Sequence, residues 1–184
     1  YSWIYFDELK KNYPEIKMIY GVELYECFDM SVKDSNSKYF HLVALAKNER
    51  GRVALNEIVT QSNFEGFYFK PRIDLAHLRP YADDLIILSA CLASKLARES
   101  DYGQCVKYIN EYKSTFPNFF LEMQSHNTDE QRRYNQKVLE LAEATNTEFV
   151  ITTDSHAATK DDLYYQARHV QIAHDDETLT ELYD

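Results

Sequence analysis

Glycine and proline are scarce, with four of each in 184 residues. Average usage of the pair is roughly 12%, so the turns must be short or built from Asn, Asp and Ser. No stretch approaches the ~18 consecutive apolar residues of a membrane-spanning helix. No basic segment followed by an apolar one reads as a secretory signal. Cysteine is limited to Cys27, Cys91 and Cys105. An odd number at irregular spacing argues against a disulfide framework and for a reducing, intracellular setting. Positive charge is in deficit: 20 Lys and Arg face 30 Asp and Glu, for a formal charge of −10. That balance argues against a free-standing nucleic-acid binder, which would carry a basic footprint. The four glycines are isolated, so there is no phosphate-cradling loop. No internal repeat, low-complexity tract or linker divides the chain, which reads as one domain or a large piece of one.

What is present is alternation. Residues 2–12 fit a helix. Lys17–Glu23 reads as a short strand and Tyr39–Ala46 as a second. Asn48–Ser62 has helical periodicity through Val53, Leu55, Ile58 and Val59. Asp84–Ala90 reads as a third strand running into a helical stretch from Cys91 to Arg98. Tyr102–Thr115 is a helix stopped by Pro117. Asn118–Gln124 is a fourth strand, Thr128 caps a helix to about Thr145, Glu148–Thr153 is a fifth strand, and helix follows from Lys160. Ser31–Ser37 is the most loop-like segment. Near-continuous apolar strands alternating with helices predict an α/β fold on a parallel sheet, open or closed into a barrel. In either form function collects at the carboxyl ends of the strands.

Ligand-type side chains recur there. The first strand ends at Glu23, the second contains His41, and the third leads to Cys91. The fourth carries Glu122, Gln124 and, just beyond, His126; the fifth leads to Asp154-Ser155-His156. Carboxylates, imidazoles and thiols are the side chains that bind divalent metals. Each also has an ordinary reading. Glu23 alone suits a surface carboxylate, and His41 a hydrogen-bonded core histidine. Cys91 suits a small buried residue, or a reactive thiol opening a helix. Asp154 suits a helix cap, and His126 a solvated loop. Recurrence at separate strands weakens these ordinary readings and sets a metal site level with them. His77, His169 and His174 read as structural. Lys70-Pro71-Arg72, beside Phe67, Tyr68 and Phe69, is the one basic spot among aromatics; it suits either a phosphate or DNA contact or a loop anchor.

Several runs together resemble a known family. They are Tyr20-Gly21-Val22-Glu23, His41 through Asn48, Phe67 through Asp74, Leu85 through Ala93, Phe120 through His126, and Thr153-Asp154-Ser155-His156. In order and spacing they are similar to the PHP (polymerase and histidinol phosphatase) domain of bacterial DNA polymerase III alpha subunits; the match is less clear from Ala167 onward. The resemblance implies a distorted seven-stranded (β/α) barrel with up to three divalent metals, zinc or manganese. By position it implies Glu23 as a bridging carboxylate, with His41, Cys91, Asp154 and His156 as further ligands. It implies catalytic roles for Glu23 and Asp154, with His126 at the site edge. The family also uses an amino-terminal His-x-His, an Asp and a Thr-Asp-His that this chain does not contain. The 184 residues are therefore expected to form a PHP domain incomplete at its N-terminus, part of a larger DNA-synthesising enzyme. The implied activity is metal-dependent 3′–5′ removal of nucleotides. The implied partners are DNA through the parent polymerase, and replisome subunits such as a sliding clamp or a proofreading subunit. The implied location is the bacterial cytoplasm, with no membrane attachment. Two other readings remain: a non-catalytic module that docks a proofreading subunit, and a small-molecule phosphoesterase resembling histidinol phosphatase.

Overall fold

A computed structural model describes residues 2–34 and 38–174, without the side chains of Ser2, Ala173 and His174. Part of the Ser31–Ser37 loop, the His174 side chain and the last ten residues therefore lie outside the description. Among the described residues, seven strands stand in the order β3-β4-β1-β2-β5-β6-β7. They are β1 (Gly21–Cys27), β2 (Phe40–Ala46), β3 (Phe67–Tyr68), β4 (Lys70–Asp74), β5 (Leu85–Leu88), β6 (Phe119–Gln124) and β7 (Phe149–Thr152). The helices are α1 (Ser2–Asn12), α2 (Glu49–Phe64), α3 (Leu75–Leu78), α4 (Lys95–Arg98), α5 (Tyr102–Thr115), α6 (Asp129–Thr145) and α7 (Lys160–His174), with a 3₁₀ turn over Arg79–Asp84. None of them is long and apolar enough to cross a membrane.

The α/β class is as expected, but the all-parallel sheet is not. β2 runs antiparallel to both β1 and β5, whereas β4 is parallel to β1, β6 to β5 and β7 to β6. Among its described residues, the connection from β1 to β2 contains no helix. A parallel crossover needs a dozen or more residues, usually including a helix, so the chain turns back on itself instead. The first strand also begins later than expected, at Gly21 rather than Lys17. The apolar run Met18-Ile19-Tyr20 looked strand-like, but the paired segment includes Glu23 and Glu26. Sequence reading also missed the β3–β4 hairpin. Gly66 is needed beside it, since a Cβ there would lie 1.9 Å from the Arg72 carbonyl oxygen. Among the described residues, β3 and β7 end the order without pairing to each other.

The register sorts side chains onto two faces, because alternate residues of a strand point to opposite sides. Leu24, Leu42, Ala44, Leu85, Ile87, Phe119, Leu121 and Met123 share one face and are buried. They join one core with Leu55 and Ile58 of α2, Cys105, Ile109 and Tyr112 of α5, and Val138 and Leu141 of α6. Each such aliphatic side chain contributes about 1.5–3 kcal/mol on burial. Local signals set the helices that cover this face. Thr128 Oγ1 accepts from the Gln131 backbone N–H at 3.2 Å to start α6, and Asn146 ends it at a φ of 49°, a conformation Asn tolerates. The other face carries Glu23, Tyr25, His41, Val43, Phe120, Glu122 and Gln124, and most of it is half-buried or exposed.

Candidate metal centre

Glu23 lies opposite Val43, and Tyr25 opposite His41. Glu23 and His41 are therefore diagonal neighbours on one face, within reach of long side chains. His41 Nδ1 stands 2.5 Å from Glu23 Oε1. Cys91 enters from the loop after β5. Ala90 turns that loop at a φ of 62°, a strained conformation for a residue with a Cβ. The loop is stitched to β2 by the His41 N–H donating to the Ala93 carbonyl at 3.0 Å. Cys91 Sγ then sits 3.4 Å from His41 Nδ1 and 3.4 Å from the Ala93 nitrogen. The expected helix start at Cys91 is not found: the helix is only Lys95–Arg98, capped by Ser94. Cys91 owes its place to a loop and not to a helix terminus.

Donor atoms of Glu23, His41 and Cys91 all lie within 4.8 Å of one another. One carboxylate, one imidazole and one thiol at that separation form a donor set suited to zinc or a similar divalent ion. Glu23 and Cys91 of this cluster border a cavity of ≈ 240 Å³ lined also by Ala90, Glu122, Gln124 and Asp154. Asp154 follows β7 at a φ of 46°. Ala90 and Asp154, both on the wall, thus hold left-handed backbone, which tends to persist only where surrounding structure compels it.

The electrostatics follow from these contacts. The hydrogen bond to Cys91, then that to Glu23, pushes the His41 imidazole up to about 9 against the opposing effect of burial. The same imidazole holds the Glu23 carboxyl below its ordinary value, with a smaller contribution from the charge of His156. Burial raises the Glu122 carboxyl, opposed by Thr152 and Gln124 and assisted by the charge of Asp154. His156 Nδ1 hydrogen-bonds to the Asp154 carbonyl at 2.7 Å, which orients the ring.

Of the residues expected from sequence, Glu23, His41 and Cys91 come together, and Asp154 lines the cavity bordered by Glu23 and Cys91. His156 is close enough to influence Glu23 but is outside the three-residue cluster. His126 is half-buried just past β6 and does not line the cavity. Glu122 and Gln124 do line it; their alternation along β6 was the available signal. Arg72 needs correction as a phosphate or DNA contact. It is fully buried, donating to the carbonyls of Gly66, Met30 and Val32, so its charge anchors a loop. Lys70 is half-buried with its ammonium 5.3 Å from the centre of the Tyr25 ring, and Tyr25 in turn contacts His41 edge-on. His77 is structural, hydrogen-bonded to Asp74 at 2.7 Å.

The PHP domain family matches residues 4–126, a span that includes Glu23, His41, Cys91 and Glu122 and ends before Asp154. The DNA polymerase III alpha subunit of Treponema pallidum is 36% identical over 156 residues, 80% of this chain and 13% of that protein. The Thermus aquaticus subunit of the same name is 35% identical over 156 residues, again 80% and 13%. That of Aquifex aeolicus is 33% identical over 162 residues, 81% and 14%. The chain thus spans only about one seventh of the length of these relatives. Its match over residues 4–126 establishes that the chain belongs to the PHP domain family.

Proposed function

We propose that this chain is most of the PHP domain of a bacterial DNA polymerase III alpha subunit. We further propose that its cavity is a metal-dependent phosphoesterase site that trims 3′ nucleotides from DNA in the intact protein. The observation that carries this is the convergence of Glu23, His41 and Cys91 donor atoms within 4.8 Å in a chain of this family. Asp154, on the same cavity wall, and His156 complete the proposed ligand set. Bound zinc or manganese ions, up to three, would activate water and offset charge on phosphate oxygens.

The chain's own residues do the positioning. Glu23 is held by His41 in its ionised form, ready to bridge cations. Cys91 is fixed by the Ala93 N–H. The Asp154 carbonyl sets the tautomer of His156 and turns Nε2 toward the metal role. Lys70, whose ammonium stands over the Tyr25 ring, is the proposed contact for a DNA phosphate, and His126 is assigned to the site edge. DNA synthesis would reside elsewhere in the parent, where the DNA-holding basic surfaces would lie, within a cytoplasmic replisome.

The test is trimming of a 3′-mismatched primer by the full-length protein with zinc or manganese supplied. Glu23→Ala and Asp154→Ala should abolish trimming while primer extension continues. Undiminished trimming in both variants would refute the assignment. Metal bound without any trimming in the unmodified protein would favour a docking module for a separate proofreading subunit.

A further inference from the structure

Six buried side-chain atoms among the described residues lack a hydrogen-bond partner, and one of them, Glu122 Oε2, belongs to a residue on the wall of the metal cavity. Glu122 is only 4% exposed. Its other oxygen, Oε1, accepts from Thr152 Oγ1 at 2.6 Å, and its backbone N–H donates to Ser89 Oγ at 2.9 Å. The carboxylate is therefore held through Oε1, while Oε2 has no hydrogen-bond partner, with the Gln124 side chain and the Ala90 backbone near enough only to ease its charge. It has no ion pair among the described residues. The nearby charge that acts on it is a second carboxylate, Asp154.

A buried carboxylate with one open oxygen is costly unless a cation or proton occupies it. The register says what side that oxygen serves. Leu88 lies beside both Val43 and Phe120, so Glu122, two residues beyond Phe120, shares the face of Glu23 and His41. The helix-covered core lies behind it. We propose that Glu122 is an additional metal ligand, binding a divalent cation through Oε2 on the inner wall of the cavity. Thr152 is then a positioning residue that fixes the carboxylate rotation, in the way ligating carboxylates are commonly hydrogen-bonded through their other oxygen.

This inference rests on the metal-site reading, and the experiment separates the two. The full-length protein, stripped with a chelator, is titrated with Zn²⁺ and with Mn²⁺ while its melting temperature is followed, and affinity is measured by competition with a chromophoric chelator. Glu122→Gln keeps the shape and removes the charge. The expected result is a metal-free melting temperature equal to or above that of the unmodified protein, since an unpaired buried charge is gone. Metal affinity should fall by at least about tenfold, and the metal-induced rise in melting temperature should shrink accordingly. Glu122→Asp, which keeps the charge on a shorter stem, should bind more tightly than Glu122→Gln. An unchanged affinity in Glu122→Gln, with Glu23→Ala impaired, would overturn the role of Glu122 and leave the metal site standing. A Glu122→Gln protein that no longer folds without metal would also overturn it, by making the residue structural. No metal-induced shift in the unmodified protein would refute both readings.

Discussion

Each face of the sheet buries a glutamate, and the two are treated in opposite ways. On the helix-covered face, Glu26 is 1% exposed. Its Oε1 meets Lys95 Nζ at 2.5 Å and accepts from the Tyr112 hydroxyl, while its Oε2, like that of Glu122, has no hydrogen-bond partner, so the difference between the two acids is the ammonium. The ammonium lies within 5.5 Å of the ring centres of Phe28, Tyr108 and Tyr112. On the cavity face, Glu122 is comparably buried but receives only neutral donors and faces Asp154. Burial raises both carboxyls. One face neutralises its acid from within the fold; the other leaves it for something supplied from outside. The first arrangement belongs to a core, and the second is what the proposed metal site would need.

The largest expected break in that comparison is Lys95→Met. It strands Glu26 in the core, and loss of one partner of a buried pair costs about 3–5 kcal/mol. Urea unfolding at pH 8 measures it. Without Lys95 the folded state holds the Glu26 proton more tightly than the unfolded chain does, so stability falls as pH rises. The deficit should therefore be smaller at pH 5 than at pH 8. A deficit independent of pH would mean that Glu26 is not the stranded group.

Next in size, Leu121→Ala and Phe120→Ala compare adjacent residues on opposite faces. Leu121 is fully buried against the helices, and its truncation should cost about 2–5 kcal/mol. Phe120 is only half-buried on the cavity side, and despite its larger ring should cost less than Leu121 in the same urea titration. The reverse order would mean that the cavity face is packed in solution.

The thiols give a smaller effect of the same kind. Burial pushes the Cys27 thiol up to about 11 from an ordinary 9.0. Between those values the unfolded chain has already lost the proton, so stability should fall as pH rises from 9 to 11. Cys27→Ala should remove that part of the alkaline loss. At pH 8, mass spectrometry after brief alkylation should show Cys91 modified, with the buried Cys27 and Cys105 protected. Prior addition of Zn²⁺ should protect Cys91 as well. The smallest effect is on stability without metal in Glu23→Ala. Its pair with His41 is 47% exposed on the Glu23 side, and such pairs contribute about 0–1 kcal/mol.

The faces were unequally legible in the sequence. Runs such as Phe40–Ala46 and Phe119–Gln124 announce themselves by apolar content, and α5 and α6 by caps and periodicity, so their bounds were found within a residue or two. Strand direction is not a local property. β2 was expected parallel, although the lack of a helix between β1 and β2 pointed to a reversal. The proposed ligand set is readable because Glu23, His41, Cys91 and Asp154 stand at comparable places in separate strands or just after them. In the sequence Glu122 reads only as part of its strand, because a carboxylate oxygen missing a partner is visible only in three dimensions. Arg72 misled for the converse reason: a basic residue beside aromatics looks like a surface contact until its guanidinium is seen bound to three backbone carbonyls.

The central claim, that the cavity face is built to hold metal, is tested most directly by elemental analysis of the full-length protein after exhaustive dialysis in metal-free buffer. Glu23→Ala and Asp154→Ala are measured alongside. The account predicts bound zinc or manganese in the unmodified protein and clear depletion in both variants. Equal metal content in all three would contradict it.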